Sequence, residues 1–224
     1  MKNGDMDTHS ASTASTASAP AGGNAGIDVQ ALAAALDFLR GAEQLKSTLR
    51  SGYTATGRRE SAAEHSWRLC LMAMLMAPYF PHIDFTRLVK LCIIHDLGEA
   101  IGGDIPAPEQ AGVAAKAHDE RRDFIRLLAP LPPEQQAELL ALWDEYEAAR
   151  TPAARLAKAL DKLETILQHT QGKNPPGFDY RFNLTYGVEY TRDDPVIVAL
   201  RRMLDAATEE RADSDAGGEM SDGE

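Results

Sequence analysis

The chain has 224 residues, 44% of them hydrophobic, and a formal net charge of −11. An acidic balance of that size argues against nucleic-acid polymers as partners. A membrane span is not expected either, because the longest apolar stretch, Leu69 to Phe80, is short and interrupted by Pro78.

Composition divides the chain into three parts. Residues 1–26 are Ser, Thr, Ala, Gly and Asn with almost no large apolar side chain, so they cannot offset their ordering entropy and are expected to be a disordered N-terminal segment. They lack the basic start and apolar core of a signal peptide. From Asp205 onward eight acids face one base, Arg211, which is −7 of the −11 and leaves about −4 elsewhere. Residues 207–224 are therefore expected to form an acidic disordered tail, and 27–206 one domain with room for a sizeable core. Cys70 and Cys92 sit in apolar helical runs and are expected to pack in that core rather than pair, and a cytoplasmic location is expected.

Taken in order, nearly every segment reads as helix. Asp28 is a candidate N-cap for a first helix reaching about Arg50, with Leu32, Leu36, Leu39, Leu45 and Leu49 on its apolar face. Ser51-Gly52-Tyr53 and Gly57 read as loop. Ser61-Ala62-Ala63-Glu64 is a capping box and starts a second helix ending near Ala77. Asp84 caps a third, made central by Leu88, Leu91, Cys92 and Ile94, with His95 and Asp96 near its end. A loop over Gly102 to Pro108 separates it from a fourth helix, roughly Gln110 to Leu128, and Pro132-Pro133 starts a fifth through Leu142 and Trp143. Thr151-Pro152 starts a sixth, striped by Leu156, Leu160, Leu163 and Leu167, with Asp161 beside the stripe. Residues 171–191 read as a long polar and aromatic loop whose Phe178, Tyr180, Phe182, Tyr186 and Tyr190 are expected to pack on something. Asp194-Pro195 opens a last helix ending near Ala206. No β alternation stands out, so the fold class is all-α, about six to seven helices.

Chemistry concentrates around His95-Asp96, where an imidazole and a carboxylate stand side by side. Both are ligands for divalent metals. On a helix, Glu99 falls four residues after His95 and three after Asp96, on their face. His65 opens the second helix near Arg58 and Arg59, and an unpaired Asp161 beside a buried stripe would be costly. His65, His95, Asp96 and Asp161 thus form a candidate metal set drawn from three helices. Mixed nitrogen and oxygen ligands suit one divalent metal of the Mn, Co, Fe or Zn kind.

The order His65, His95-Asp96, Asp161 resembles the HD-domain superfamily of metal-dependent phosphohydrolases. Within it, Glu64-His65-Ser66, His95-Asp96-Leu97-Gly98-Glu99, Gly103-Asp104-Ile105-Pro106 and Ala159-Leu160-Asp161-Lys162-Leu163 are similar to the 5′-deoxynucleotidase branch. The resemblance covers about Leu32 to Thr170 and implies an HD-domain helical bundle. It implies His65, His95, Asp96 and Asp161 as metal ligands, Glu99 as the acid that orients or deprotonates the attacking water, and Asp104 as a second acid near the leaving group. Arg50 resembles the family's phosphate-contacting arginine, with Arg58 and Arg59 as alternatives in the same loop. The expected activity is release of phosphate from (deoxy)nucleoside 5′-monophosphates. The expected partner is a small-molecule nucleotide, in a homodimer. Two alternatives stand beside it: hydrolysis of a guanosine polyphosphate or a deoxynucleoside triphosphate, and a non-catalytic ligand-sensing module. The stretch Gln171 to Tyr190 departs from the family and bears on substrate choice if it covers the site.

Overall fold

The computed structural model describes residue 1, residues 28–104 and residues 113–219; the expected disordered segment 1–26, apart from Met1, and Ile105-Pro106 of the Gly-Asp-Ile-Pro motif lie outside the described residues. Seven longer helices and two one-turn helices are seen there: α1 (Val29–Ala42), α2 (Ala62–Met76), α3 (Phe85–Ile94), α4 (Glu99–Gly102), α5 (Val113–Leu128), α6 (Pro133–Ala148), α7 (Pro152–Gln171), α8 (Val188–Thr191) and α9 (Pro195–Glu219). No helix among the described residues is long and apolar enough to cross a membrane.

Local capping chemistry starts several of these helices where the sequence marks them. Asp28 accepts from the backbone N–H of Gln30 and Ala31, both at 3.0 Å. Ser61 and Glu64 close a reciprocal capping box on α2, and Asp84 accepts from Arg87 N–H at 3.1 Å. Thr151 accepts from Ala154 N–H at 3.1 Å, with Pro152 in the first turn. Each bond satisfies a donor that a helix start leaves open.

Helix α7 is the axis of the domain. It packs against α2, α3, α6, α8 and α9, and Leu160, Leu163 and Ile166 are fully buried along it. Each such side chain contributes about 1.5–3 kcal/mol of burial. Phe124, Leu127 and Leu128 of α5 and Leu142 and Trp143 of α6 extend the same core, and Cys92 is buried within it with its thiol free.

Four expectations are corrected. The first helix stops at Ala42 rather than near Arg50, and residues Leu49–Tyr53 (β1) pair antiparallel with Arg59–Ser61 (β2), Leu49 opposite Ser61 and Tyr53 opposite Arg59. The ribbon packs on α7, where Gly52 lets the backbone come within a Cβ distance of 3.0 Å of Gln168. The leucines of α1 do not face the core: Leu32, Leu36 and Leu39 are exposed, and no α1 residue is buried. Helix α3 ends at Ile94, so His95 and Asp96 stand in a tight turn after it. Finally α9 continues past Ala206 to Glu219, because one face of it is anchored while Glu209, Glu210 and Asp213 stay exposed to solvent. Thr208 is buried, and Arg211 donates to Gly172 O at 3.1 Å and to Tyr180 Oη at 2.9 Å.

Candidate metal centre

The turn after α3 does what a continued helix was expected to do. Backbone bonds from Leu97 N–H to Ile94 O (3.2 Å) and from Glu99 N–H to Asp96 O (2.9 Å) wind residues 95–98 tightly and bring Glu99 back beside Asp96 at the start of α4. Gly98 is needed there, since a Cβ would lie 2.7 Å from the Glu120 carbonyl of α5. Asp104 follows Gly103, which takes φ +79°, and lines the same cavity as Glu99.

His65 from α2, His95 and Asp96 from the turn and Asp161 from α7 converge. His65 Nε2 is 3.1 Å from Asp161 Oδ1 and 3.9 Å from Asp96 Oδ2. His95 Nε2 is 3.0 Å from Asp96 Oδ1 and 3.9 Å from Asp161 Oδ1. The two rings meet edge to face with centroids 5.3 Å apart. Neither Nε2 atom has a hydrogen-bond partner, although both are buried. Their other nitrogens are committed: His95 Nδ1 donates to Cys92 O at 2.9 Å, and His65 Nδ1 donates to the carboxylate of Glu164. A carbonyl or carboxylate can only accept, so each Nδ1 carries a hydrogen and each Nε2 faces the cluster. Buried imidazole nitrogens left unpartnered among carboxylate oxygens are a donor set that fits a divalent metal.

The surroundings favour a cation. At this end of the cavity the carboxylates of Asp96, Asp161, Glu99 and Asp104 face Arg50 and Lys162, an excess of two negative charges. Burial disfavours the His65 imidazolium, yet the carboxylates of Glu164 and Asp161 raise its pKa to about 10. Without an ion, His65 therefore keeps a proton that a metal would displace. Burial raises the carboxyl of Asp161, but Lys162, 2.9 Å from its Oδ2, and the two histidines hold it well below the usual range. Asp96 is likewise lowered, by His95 and Arg50 against its burial.

Of the three candidate arginines, Arg50 lines the cavity. Strand β1 carries it inward, where it donates from Nη1 to Asp96 Oδ2 at 3.0 Å and from Nη2 to Thr165 Oγ1 at 3.1 Å. Arg58 instead forks onto Glu64 at the surface, at 2.6 and 3.0 Å. Arg59 donates to the backbone carbonyls of Arg50 (2.8 Å) and Leu49 (3.3 Å).

Arg50, His95, Asp96, Glu99, Asp104 and Asp161 line a cavity of about 440 Å³, one wall of which comes from the 171–190 stretch, while His65 is fully buried. That stretch folds as a short 3-10 helix, Tyr180–Leu184, followed by α8. A larger groove of about 720 Å³ opens on the far side of Glu189 and Tyr190, but it holds none of the candidate ligands.

The model of the HD domain matches residues 42–201, and this span contains every residue of the cluster. The chain belongs to the HD domain family. Among curated relatives, the 5′-deoxynucleotidase HDDC2 of Bos taurus is 35% identical over 147 residues, covering 63% of this chain and 71% of the relative. The 5′-deoxynucleotidase hdd1 of Schizosaccharomyces pombe is 36% identical over 137 residues, covering 58% of this chain and 68% of the relative. The crystal structure of a predicted metal-dependent phosphohydrolase from Magnetospirillum magnetotacticum superposes with a TM-score of 0.71 at 33% identity, covering 82% of this chain and 95% of that one. The HD-domain resemblance drawn from the motifs is thereby borne out.

Three groups in this HD domain escaped the sequence reading. Glu164 stands behind His65 and is itself held by Arg68 Nε at 2.5 Å. Tyr146 of α6 donates to Asp161 Oδ2 at 2.7 Å and packs its ring 5.0 Å from that of His95. Thr165 positions Arg50. The positions of Glu164 and Thr165, three and four residues after Asp161 on a helix, were the available signal. Nothing local marks Tyr146.

Proposed function

We propose that this HD-domain chain is a metal-dependent phosphohydrolase acting as a 5′-deoxynucleotidase, which releases phosphate from (deoxy)nucleoside 5′-monophosphates. The observation that carries this reading is the convergence of two unpartnered histidine nitrogens and two carboxylates, with His95, Asp96, Asp161 and Arg50 lining one nucleotide-sized cavity. The relatives named 5′-deoxynucleotidase support the substrate class.

His65, His95, Asp96 and Asp161 would hold one divalent ion, of the Mn, Co, Fe or Zn kind. When bound, it supplies Lewis-acid charge to the phosphoryl group and makes water a better nucleophile. The chain's own residues do the rest. Arg50, held in orientation by Asp96 and Thr165, presents guanidinium N–H groups to phosphate oxygens and offsets the charge that grows in the transition state. Glu99, buried at the start of α4, holds the attacking water in line with phosphorus and takes its proton onto a carboxylate oxygen. Asp104 lines the same cavity and would pass on to the departing 5′ oxygen the proton that Glu99 takes from the water. Tyr146 and Glu164 keep Asp161 and His65 in place.

A polyphosphate substrate is less well served. Arg58 and Arg59, the further cations of that loop, are engaged by Glu64 and by backbone carbonyls. A non-catalytic module has no need of Glu99 and Asp104 beside a complete ligand set.

The test is phosphate release from a panel of ribo- and deoxynucleoside monophosphates, with Mn, Co, Mg or Zn restored after chelation. Metal-dependent release that favours deoxy substrates and is abolished by Asp96→Ala supports the reading. Pyrophosphate or triphosphate release would replace it with the polyphosphate alternative. Activity that survives Asp96→Ala would remove the metal centre from the chemistry.

A further inference from the structure

The site has two unlike ends. One is the charged cluster with Arg50; the other is a wall of half-buried aromatic side chains, Phe182, Tyr186 and Tyr190, from the 171–190 stretch. Catalysis at phosphorus gives that wall nothing to do. Resting on the nucleotidase reading above, we propose that Phe182 and Tyr186 form a base-stacking subsite, so that the enzyme selects phosphate esters carrying a planar nucleobase.

The wall is built to stay in place. The Phe182 and Tyr186 rings pack on each other with centroids 5.2 Å apart and planes inclined by 33°. Buried Arg201 of α9 donates to the Tyr186 carbonyl at 2.7 Å and to the Asn183 carbonyl at 2.6 Å. Asn183 Oδ1 is 2.8 Å from His169 Nδ1 on α7. A preorganised surface of this kind binds without first losing conformational freedom.

Its position is also tied to the chemistry. Lys162 donates to Tyr186 Oη at 3.1 Å while standing 2.9 Å from Asp161 Oδ2. One side chain thus spans from a candidate metal ligand to the aromatic wall. Gly187 permits this approach: it takes φ +65°, and a Cβ there would lie 2.4 Å from Lys162 Cγ. Lys158 Nζ lies 5.8 Å from the Tyr190 ring centroid. Lys162 similarly lies 5.0 Å from the Tyr186 centroid. Phe182 is the purely apolar ring of the three, and a base has a π-face to offer it whatever its edge groups.

The experiment compares deoxynucleoside 5′-monophosphates with 2-deoxyribose 5-phosphate, which keeps sugar and phosphate but lacks the base, on the full metal-loaded chain. In the native protein the nucleotide should be preferred in kcat/KM. Phe182→Ala should cut that preference about 5- to 100-fold, mostly through a higher KM for the nucleotide, the range expected for loss of one aromatic stacking partner. Phe182→Trp should keep the preference, and Phe182→Leu, which guards against misfolding of the alanine variant, should fall between. An unchanged preference in Phe182→Ala, or equal kcat/KM for the two substrates in the native protein, overturns the stacking subsite and leaves the nucleotidase reading intact. If the native protein hydrolyses no nucleotide, that reading falls, and calorimetric binding of deoxyadenosine monophosphate still decides the subsite: weaker binding to Phe182→Ala supports it, equal binding overturns it.

Discussion

Glu164→Gln removes one negative charge from a fully buried carboxylate while keeping its shape. Glu164 accepts from His65 Nδ1–H and from Arg68 Nε, so each of its oxygens meets a donor. Glutamine has one acceptor oxygen, and its amide must set donor against donor at either His65 or Arg68. If the amide faces His65, the ring escapes the clash by losing its Nδ1 hydrogen, which leaves its remaining proton on Nε2, the nitrogen that faces Asp161. Outer-shell partners of a ligating histidine typically account for about 10–100-fold in metal affinity, or about 1.4–2.7 kcal/mol. The ion-free protein should also lose about 1–3 kcal/mol for the mismatched buried donor. Calorimetric titration of stripped protein with Mn measures the first quantity and urea unfolding the second. Glu64→Gln is the control, because Glu64 points outward to Arg58 and Ser61; it should weaken the helix cap with little effect on metal affinity. Unchanged metal affinity in Glu164→Gln, with its stability reduced as expected, would refute the positioning of His65 by Glu164.

Arg50→Ala should lower kcat/KM about 10²–10³-fold, the cost of losing a donor to transition-state charge, whereas Arg58→Ala should change it less than about threefold in the same phosphate-release assay. Chelation should lower the melting temperature: an ion at about a hundred times its Kd contributes about 2.7 kcal/mol, worth about 5–10 °C for a domain of this size, and calorimetry after metal is restored should recover it. Burial, reinforced by Glu164, raises the Glu60 carboxyl to about 7 against an ordinary value of 4.5. The folded state therefore binds the extra proton between those values, and the Glu60 contribution to stability is lost as pH rises from about 4.5 through about 7. Glu60→Gln should match the native protein near pH 4.5 and exceed it at pH 8 by up to about 3 kcal/mol, measured by urea unfolding of the metal-free chain.

What the sequence determined by itself was local. Ser61-Glu64, Asp84 and Thr151-Pro152 mark helix starts because a cap bonds a backbone donor two or three residues away. The His65, His95-Asp96 and Asp161 pattern announces its chemistry through residue type and order, and the structure brings all four together. Partners distant in the chain were decided only by tertiary structure. Glu164 meets His65 across 99 residues and Arg50 meets Asp96 across 46, and no short-range pattern encodes either pairing. The same holds for the β1–β2 ribbon, whose few residues carry too little alternation to read but whose packing on α7 turns Arg50 into the site. It holds again for the aromatic stretch: its composition says that it must pack somewhere, while Arg201, His169 and Lys162 decide that it becomes the wall of the cavity. Helix starts are settled by the entropy and hydrogen bonds of one turn; the neighbours of a buried charge are settled by which helices the whole core brings to its side.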